Sequence, residues 1–361
     1  MTGILRADLD VGLLTNVRMG AEIATGLAVL TGRRLSMPFE QAISPAPRSS
    51  ISESKQGRPA TLLDLLELPV EIVHTDEWAL HAGERTDAVN WEPVGAAVCV
   101  LDPDADLDNP QLLDFANGRT RFVTPPVSDM AVVEMQGRLL SFYSYFFYGR
   151  PEALRQLHAV LRGVRPRRPY VALGARIASG LSLFNAIHLR RSDLTIGIPA
   201  YGKVTPEDLA ANLGSILPAD ELLVICSEVD GRDELFDPIR QRFPQLAFAN
   251  DLILNDHGNE FFSLPRHEDN ALGLVTQELA SRAVGFVGTI GSTFTAIIQR
   301  NRLLRDPNQR FLFTADFTPD GPTYHHGEFL DIADGAYSWN RINYAMSPDV
   351  LAWFREWPEA T

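Results

Sequence analysis

Phe184-Asn185-Ala186-Ile187-His188-Leu189-Arg190-Arg191-Ser192-Asp193 is the stretch on which the reading of the fold turns. Six residues without a charge at neutral pH, rich in apolar side chains, give way abruptly to two arginines, a serine and an aspartate. That is the signature of a buried strand whose polar carboxyl end opens on a binding crevice. Side chains alternate along a strand, so His188 and Arg190 are expected on one face and Leu189 on the other. Further along, Leu222 to Cys226 and Ala283 to Val287 read as two more buried strands. Between them Pro206 to Ile216 reads as a helix, with Thr205 as N-cap, Pro206 in the first helical position and Asp208 closing a capping box. Short apolar strands alternating with amphipathic helices predict an α/β protein with parallel sheets.

Composition sets the outer limits. The chain has 361 residues, enough for about two domains. Hydrophobic residues make up 45% and charged residues 22%, close to globular averages, which argues against long disorder. Lys and Arg number 32 against 46 Asp and Glu, a net charge of −14. So acidic a chain is not built to hold a nucleic-acid backbone, although a local basic site for one phosphorylated ligand remains open. No apolar run reaches the roughly 18 residues of a membrane span. The residues from Met1 to Asp10 lack the basic and apolar segments of a secretory signal, so cytoplasmic residence is the default expectation. Cys99 and Cys226 both lie in apolar runs and read as buried free thiols.

The Gly- and Pro-broken, arginine-rich stretch Arg162 to Pro169 reads as a boundary between domains 1–165 and 166–361. Gly20 to Thr31 reads as helix, and Glu40 to Pro59 as a long surface loop.

Three places could carry chemistry. At the end of the first strand quoted, the Arg190 fork matches phosphate oxygens and keeps its charge near neutral pH, and Asp193 could hold it in place. The same residues equally allow an Arg190–Asp193 salt bridge beside a His188 hydrogen-bonded in the core. The second place is Ala283-Val284-Gly285-Phe286-Val287-Gly288-Thr289-Ile290-Gly291-Ser292-Thr293-Phe294, followed by helix from Thr295 to Arg302. A glycine-bearing turn entering a helix presents backbone N–H groups and the positive dipole end to an anion, or is simply a Ser/Thr cap. It matches neither the dinucleotide fingerprint nor a P-loop. The third is Asp10 to Gly20, again a strand, glycine loop and helix, with Asn16 and Arg18 at the helix start.

Other patterns read as incidental. Asp102 to Asp108 has calcium-loop spacing but places Leu107 where the turn glycine belongs. His325-His326-Gly327-Glu328 matches no zinc signature. Ser52 to Lys55 lies in a polar loop, and the aromatic run Phe142 to Tyr148 reads as a packed helix.

Taken in order, the three blocks resemble the fucosyltransferase superfamily that includes protein O-fucosyltransferases and α1,6-fucosyltransferases. Gly12 to Pro38 is similar to its opening block, and His188 to Asp193 to its His-x-Arg block. Leu279 to Ala283, Phe286 to Gly288 and Ser292 to Phe294, on to Arg302, are similar to its third. Thr15, Val17 and Val284 depart from the residues usual there. The resemblance implies a GT-B architecture of two Rossmann-like domains facing a cleft, and inverting, metal-independent transfer from a GDP-sugar, GDP-fucose first, to an unknown hydroxyl acceptor. No cofactor is implied. It places His188 and Arg190 at the diphosphate end of the donor, Ser292, Thr293 and Phe294 at the phosphates and base, and Asn16 near the sugar. Arg18, Arg191, Asp193 and Gly291 are further expected substrate-binding residues. Arg190 is the expected catalytic cation and Asp10 the candidate base. A catalytically silent nucleotide-sugar or glycan-binding module is the alternative.

Overall fold

The computed structural model describes residues 3–7, 13–38, 43, 60–73, 86–90, 132–136, 159–160, 162–190, 205–289, 292–306, 312–318 and 321–326. These fall into two compact units, one holding the described residues up to Arg167 and the other those from Arg168 onward.

The first unit starts with β1 (Ile4–Ala7), α1 (Leu14–Leu30) and β2 (Arg34–Ser36), followed by the short α2 (Leu62–Leu65), β3 (Leu66–Glu67), β4 (Ile72–Val73), β5 (Thr86–Asn90), β6 (Val132–Gln136) and β7 (Arg165–Pro166). Five of these strands form one sheet in the order β4-β2-β1-β6-β5, with every neighbouring pair parallel. The helix α1 begins earlier than Gly20. Its small and apolar residues Ala21, Ile23, Ala24, Leu27 and Ala28 are wholly buried, and burial rather than propensity sustains it. It stops at a Schellman motif, where Gly32 has φ of +63° and the N–H groups of Arg33 and Gly32 return to the carbonyls of Ala28 and Val29 at 2.8 and 3.1 Å. Only that left-handed step lets the chain turn into β2, and glycine takes it without penalty.

The arginine-rich stretch is more than a solvated linker. Arg165 and Pro166 pair antiparallel with Glu67 and Leu66, and the Arg167 side chain donates to the Leu63 carbonyl at 2.7 Å.

The second unit runs α3 (Arg168–Gly180), β8 (Phe184–Leu189), α4 (Pro206–Ile216), β9 (Leu222–Ser227), α5 (Asp237–Arg242), β10 (Leu246–Phe248), helical turns from Ala249 to Phe261, α6 (Asp269–Ala280), β11 (Phe286–Val287) and α7 (Thr293–Arg305), then the antiparallel hairpin of β12 (Leu312–Thr318) and β13 (Gly321–His326). The strand β8 and helix α4 have the predicted bounds. Thr205 accepts from the Asp208 N–H at 3.1 Å while Asp208 accepts from the Thr205 N–H at 3.2 Å, so the capping box forms. By contrast, β11 is shorter than Ala283 to Val287, because the Ala283 and Val284 carbonyls are turned to a side chain, Arg302.

The order β10-β9-β8-β11 is all parallel, and in chain sequence it runs third, second, first, fourth. This is the order of a nucleotide-binding half, and it places a topological switch point between β8 and β11. The two faces of the sheet are covered differently. Ile187, Leu189, Leu223 and Ile225 pack with Leu209 and Leu213 of α4, Ile239 of α5 and Phe236. The opposite face carries Ala186, His188, Val224 and Cys226, and there His188 meets α7. Helices α3 and α6 approach closely at Gly174, where a Cβ would lie 2.7 Å from both Glu278 Cβ and the Val275 carbonyl. No helix among the described residues is long and apolar enough to cross a membrane.

Candidate functional site

The carboxyl ends of β8 and β11 lie side by side at the switch point, and a hydroxyl two residues past β11 bridges the residues on either side of Leu189. Thr289 Oγ1 donates to the His188 carbonyl at 2.9 Å and accepts from the Arg190 N–H at 3.0 Å. Four residues later α7 begins. Its first intrahelical bond runs from the Ala296 N–H to the Ser292 carbonyl at 3.1 Å, so the N–H groups of Thr293, Phe294 and Thr295 precede the ladder. The helix is long enough for its dipole to matter, and its first turn, at Phe294 and Thr295, packs against His188 near the end of β8.

His188 is buried, with 8% of its surface exposed. Its Nδ1 shares a hydrogen bond of 2.6 Å with Thr295 Oγ1, and its ring stacks on Phe294 at 4.7 Å between centroids. Burial first, and then the Arg190 charge, push its pKa down to about 3. The imidazole is therefore neutral over the physiological range and acts as a hydrogen-bonding wedge rather than as a second cation. The core hydrogen bond that the sequence allowed for His188 is present. Arg190 lies one residue beyond the end of β8, where the Thr289 hydroxyl accepts from its backbone N–H. The guanidinium is close enough to bear on the His188 titration and is partly exposed.

Gly288 makes the close packing possible. A Cβ there would fall 1.9 Å from Thr295 Cγ2, so α7 can seat its first turn against β11 only above a bare backbone. Ser292 holds the N-cap position and is fully buried, but its side chain makes no capping bond. The far end of α7 is fixed by Arg302, which is also fully buried. It donates to the carbonyls of Ala283 and Val284, the latter at 3.0 Å, and lies over the Phe286 ring. Arg282 pairs with Glu278 at 2.8 Å and Arg305 reaches Glu278 and Ser281, so three arginines clamp α6, β11 and α7 together. Thus Arg302, which closes the third sequence block, meets the start of that block as a structural cation, with its pKa pushed down to about 10 by burial and by Arg305.

In the first unit, Asn16 lies in the first turn of α1. Arg18 is buried on the same helix, where its Nε pairs with Glu22 at 3.0 Å and its Nη2 donates to the Val164 carbonyl at 3.1 Å. These contacts tie α1 to the chain just before β7. Asp10, Arg191, Asp193 and Gly291 lie outside the described residues, as do Cys99, the Asp102 to Asp108 and Ser52 to Lys55 loops and the Phe142 to Tyr148 run. The Glu40 to Pro59 loop is likewise outside them, except for the buried Ile43. Among the described residues no group of three His, Cys, Asp or Glu side chains could hold a metal ion.

Gly288 belongs to the third sequence block, whereas Thr289 carries no motif of its own. A threonine two residues past a short strand has no local signal for bridging a neighbouring strand.

Comparison with protein-family models and with curated proteins gives no match. Among solved structures, the chain is similar in fold to NodZ α-1,6-fucosyltransferase soaked with GDP-fucose, at 14% identity and a TM-score of 0.47 over 90% of this chain and 99% of that one. It is similar to POFUT1 in complex with GDP, at 13% identity and a TM-score of 0.46 over 85% and 97%. A mutant of Arabidopsis thaliana FUT1 in complex with GDP shows 12% identity and a TM-score of 0.49 over 90% and 74% of the two chains.

Proposed function

We propose that the carboxyl edge of β8 and β11 binds the diphosphate of a nucleotide-sugar, and that the chain transfers the sugar to an acceptor hydroxyl. One observation carries this reading. At the switch point the Thr289 hydroxyl holds the Arg190 backbone N–H, and the first turn of α7 packs against His188 of the same strand end. GDP-fucose is the donor to test first, because the sequence blocks that carry the fucosyltransferase resemblance are those that build this edge.

In the proposed reaction the bond between the anomeric carbon and the phosphate oxygen breaks, and its electron pair leaves with the diphosphate. The acceptor oxygen attacks the opposite face of that carbon and loses its proton to a base. Charge grows on the departing diphosphate. Arg190 meets it as a charge-assisted donor, and the amides of Thr293, Phe294 and Thr295 meet it without reorganisation, an arrangement that favours the transition state over the ground state. These groups supply the positive charge of this scheme, so transfer is expected to survive EDTA. Neutral His188 does not donate a proton. It holds Phe294 and Thr295, and hence the amide end of α7, in place.

The test is calorimetry with GDP, UDP and GDP-fucose, with and without EDTA, followed by turnover of the Arg190→Ala variant. The reading predicts binding of GDP species independent of EDTA, and a fall in kcat of about 100-fold or more on losing the cation. Binding of UDP species alone would overturn the choice of donor, strict metal dependence the metal-independent scheme, and wild-type turnover in Arg190→Ala the leaving-group role. GDP binding with no transfer to any acceptor would assign the silent nucleotide-sugar module.

A further inference from the structure

We propose that Thr289 is the positioning residue for Arg190, an inference that rests on the function proposed above. The β9 ladder holds β8 up to Leu189 opposite Ser227, but the register of β11 on β8 ends at Val287 opposite Ile187, so on that side the pairing stops short of the point where the chain leaves the sheet. There the Thr289 hydroxyl takes over. Its hydrogen goes to the His188 carbonyl and its lone pair to the Arg190 N–H, closing a ring across residues 188 to 190. Only 7% of Thr289 is exposed, so water does not readily replace either bond.

The consequence is specific to the hydroxyl. Valine has nearly the shape of threonine but can neither donate nor accept, so Thr289→Val leaves the fold its packing and takes away the ring. Serine keeps both bonds. The Arg190 Cα is then held in Thr289→Ser and released in Thr289→Val, with the guanidinium itself intact in both. A leaving-group cation must sit within roughly 0.5 Å of its productive place, and displacement by about 1 Å can lower turnover by about 100-fold. The amides of α7 are untouched by the change, so ground-state donor binding should scarcely move.

The experiment measures kcat and donor KM with GDP-fucose, together with hydrogen exchange at the Arg190 amide, in Thr289→Val and Thr289→Ser, each with Arg190 present and with Arg190→Ala. Thr289→Val is expected to lower kcat by about 10- to 100-fold with KM changed by less than about 3-fold. It should also speed exchange of the Arg190 amide, and Thr289→Ser should restore both. In the Arg190→Ala background the valine change should add nothing to the loss, because the residue it positions is gone. An equal loss in that background would show general damage and overturn the proposal. So would wild-type protection of the Arg190 amide in Thr289→Val. If Arg190→Ala alone kept full turnover, the catalytic reading would fail instead, and amide exchange would still decide whether Thr289 holds the backbone.

Discussion

Replacing Gly288 by alanine would place a methyl carbon 1.9 Å from Cγ2 of Thr295, 3.0 Å from its Oγ1 and 3.1 Å from its Cβ. Carbon atoms pack best at about 3.5–4.0 Å, so α7 would have to retreat from the sheet or Thr295 would have to rotate. Rotation does not come free. It carries Oγ1 away from His188 Nδ1, breaks a buried hydrogen bond of 2.6 Å and strands a ring nitrogen in the core. Overpacking of this kind typically costs about 1–3 kcal/mol, and the abandoned partner about 1–3 kcal/mol more if rotation is the route taken. For a unit of this size about 2 kcal/mol corresponds to a fall in Tm of roughly 4–8 °C. The assay is thermal unfolding of Gly288→Ala alone and combined with Thr295→Ser. Serine removes the clashing methyl and retains the hydroxyl, so the pair should recover most of the lost Tm. Gly288→Ala melting with the wild type would refute the packing account, and a double variant no better than the single would refute the assignment of the clash to Thr295.

Other consequences follow from groups buried in the second unit. Arg302→Met should lower unfolding stability by about 2–4 kcal/mol, read as a shifted urea midpoint, because the carbonyls of Ala283 and Val284 lose a charged donor. His188 titrates near 6.5 when unfolded and at about 3 when folded, so the unfolded chain takes up the proton first and stability falls as the pH drops below 6.5. Between about pH 7 and pH 5 that amounts to about 2 kcal/mol, and His188→Asn should flatten this part of the urea midpoint profile. The Cys226 thiol is buried and its pKa pushed up to about 12, so in a Cys99→Ser background a thiol reagent should label the chain only as fast as it unfolds.

The elements that could be read from sequence are those whose cause is local. Phe184 to Leu189 announces itself as an uninterrupted apolar run, and α4 by Thr205, Pro206 and Asp208 within four positions. What was hidden depends on distant residues. Arg18 reads as a ligand-facing cation at a helix start, yet its guanidinium donates to the Val164 carbonyl 146 residues away. The early start of α1 at Leu14 has no side-chain cap to mark it. Arg302 lies in an ordinary helical sequence, and only the fold shows it closing over the turn before β11. At the site itself, strand alternation separated His188 from Leu189 correctly, since Leu189 packs with α4 while His188 meets Thr295. Alternation does not extend to Arg190, because β8 ends before it and its backbone N–H bonds a hydroxyl two residues past β11.

The central claim is that one diphosphate meets both Arg190 and the amide end of α7. Amide NMR of the chain titrated with GDP tests it most directly. The account predicts that the N–H resonances of Arg190, Thr293, Phe294 and Thr295 shift together along one saturation curve, and that Arg190→Ala weakens the binding without abolishing the helix shifts. Saturable GDP binding that leaves all four resonances in place would contradict it.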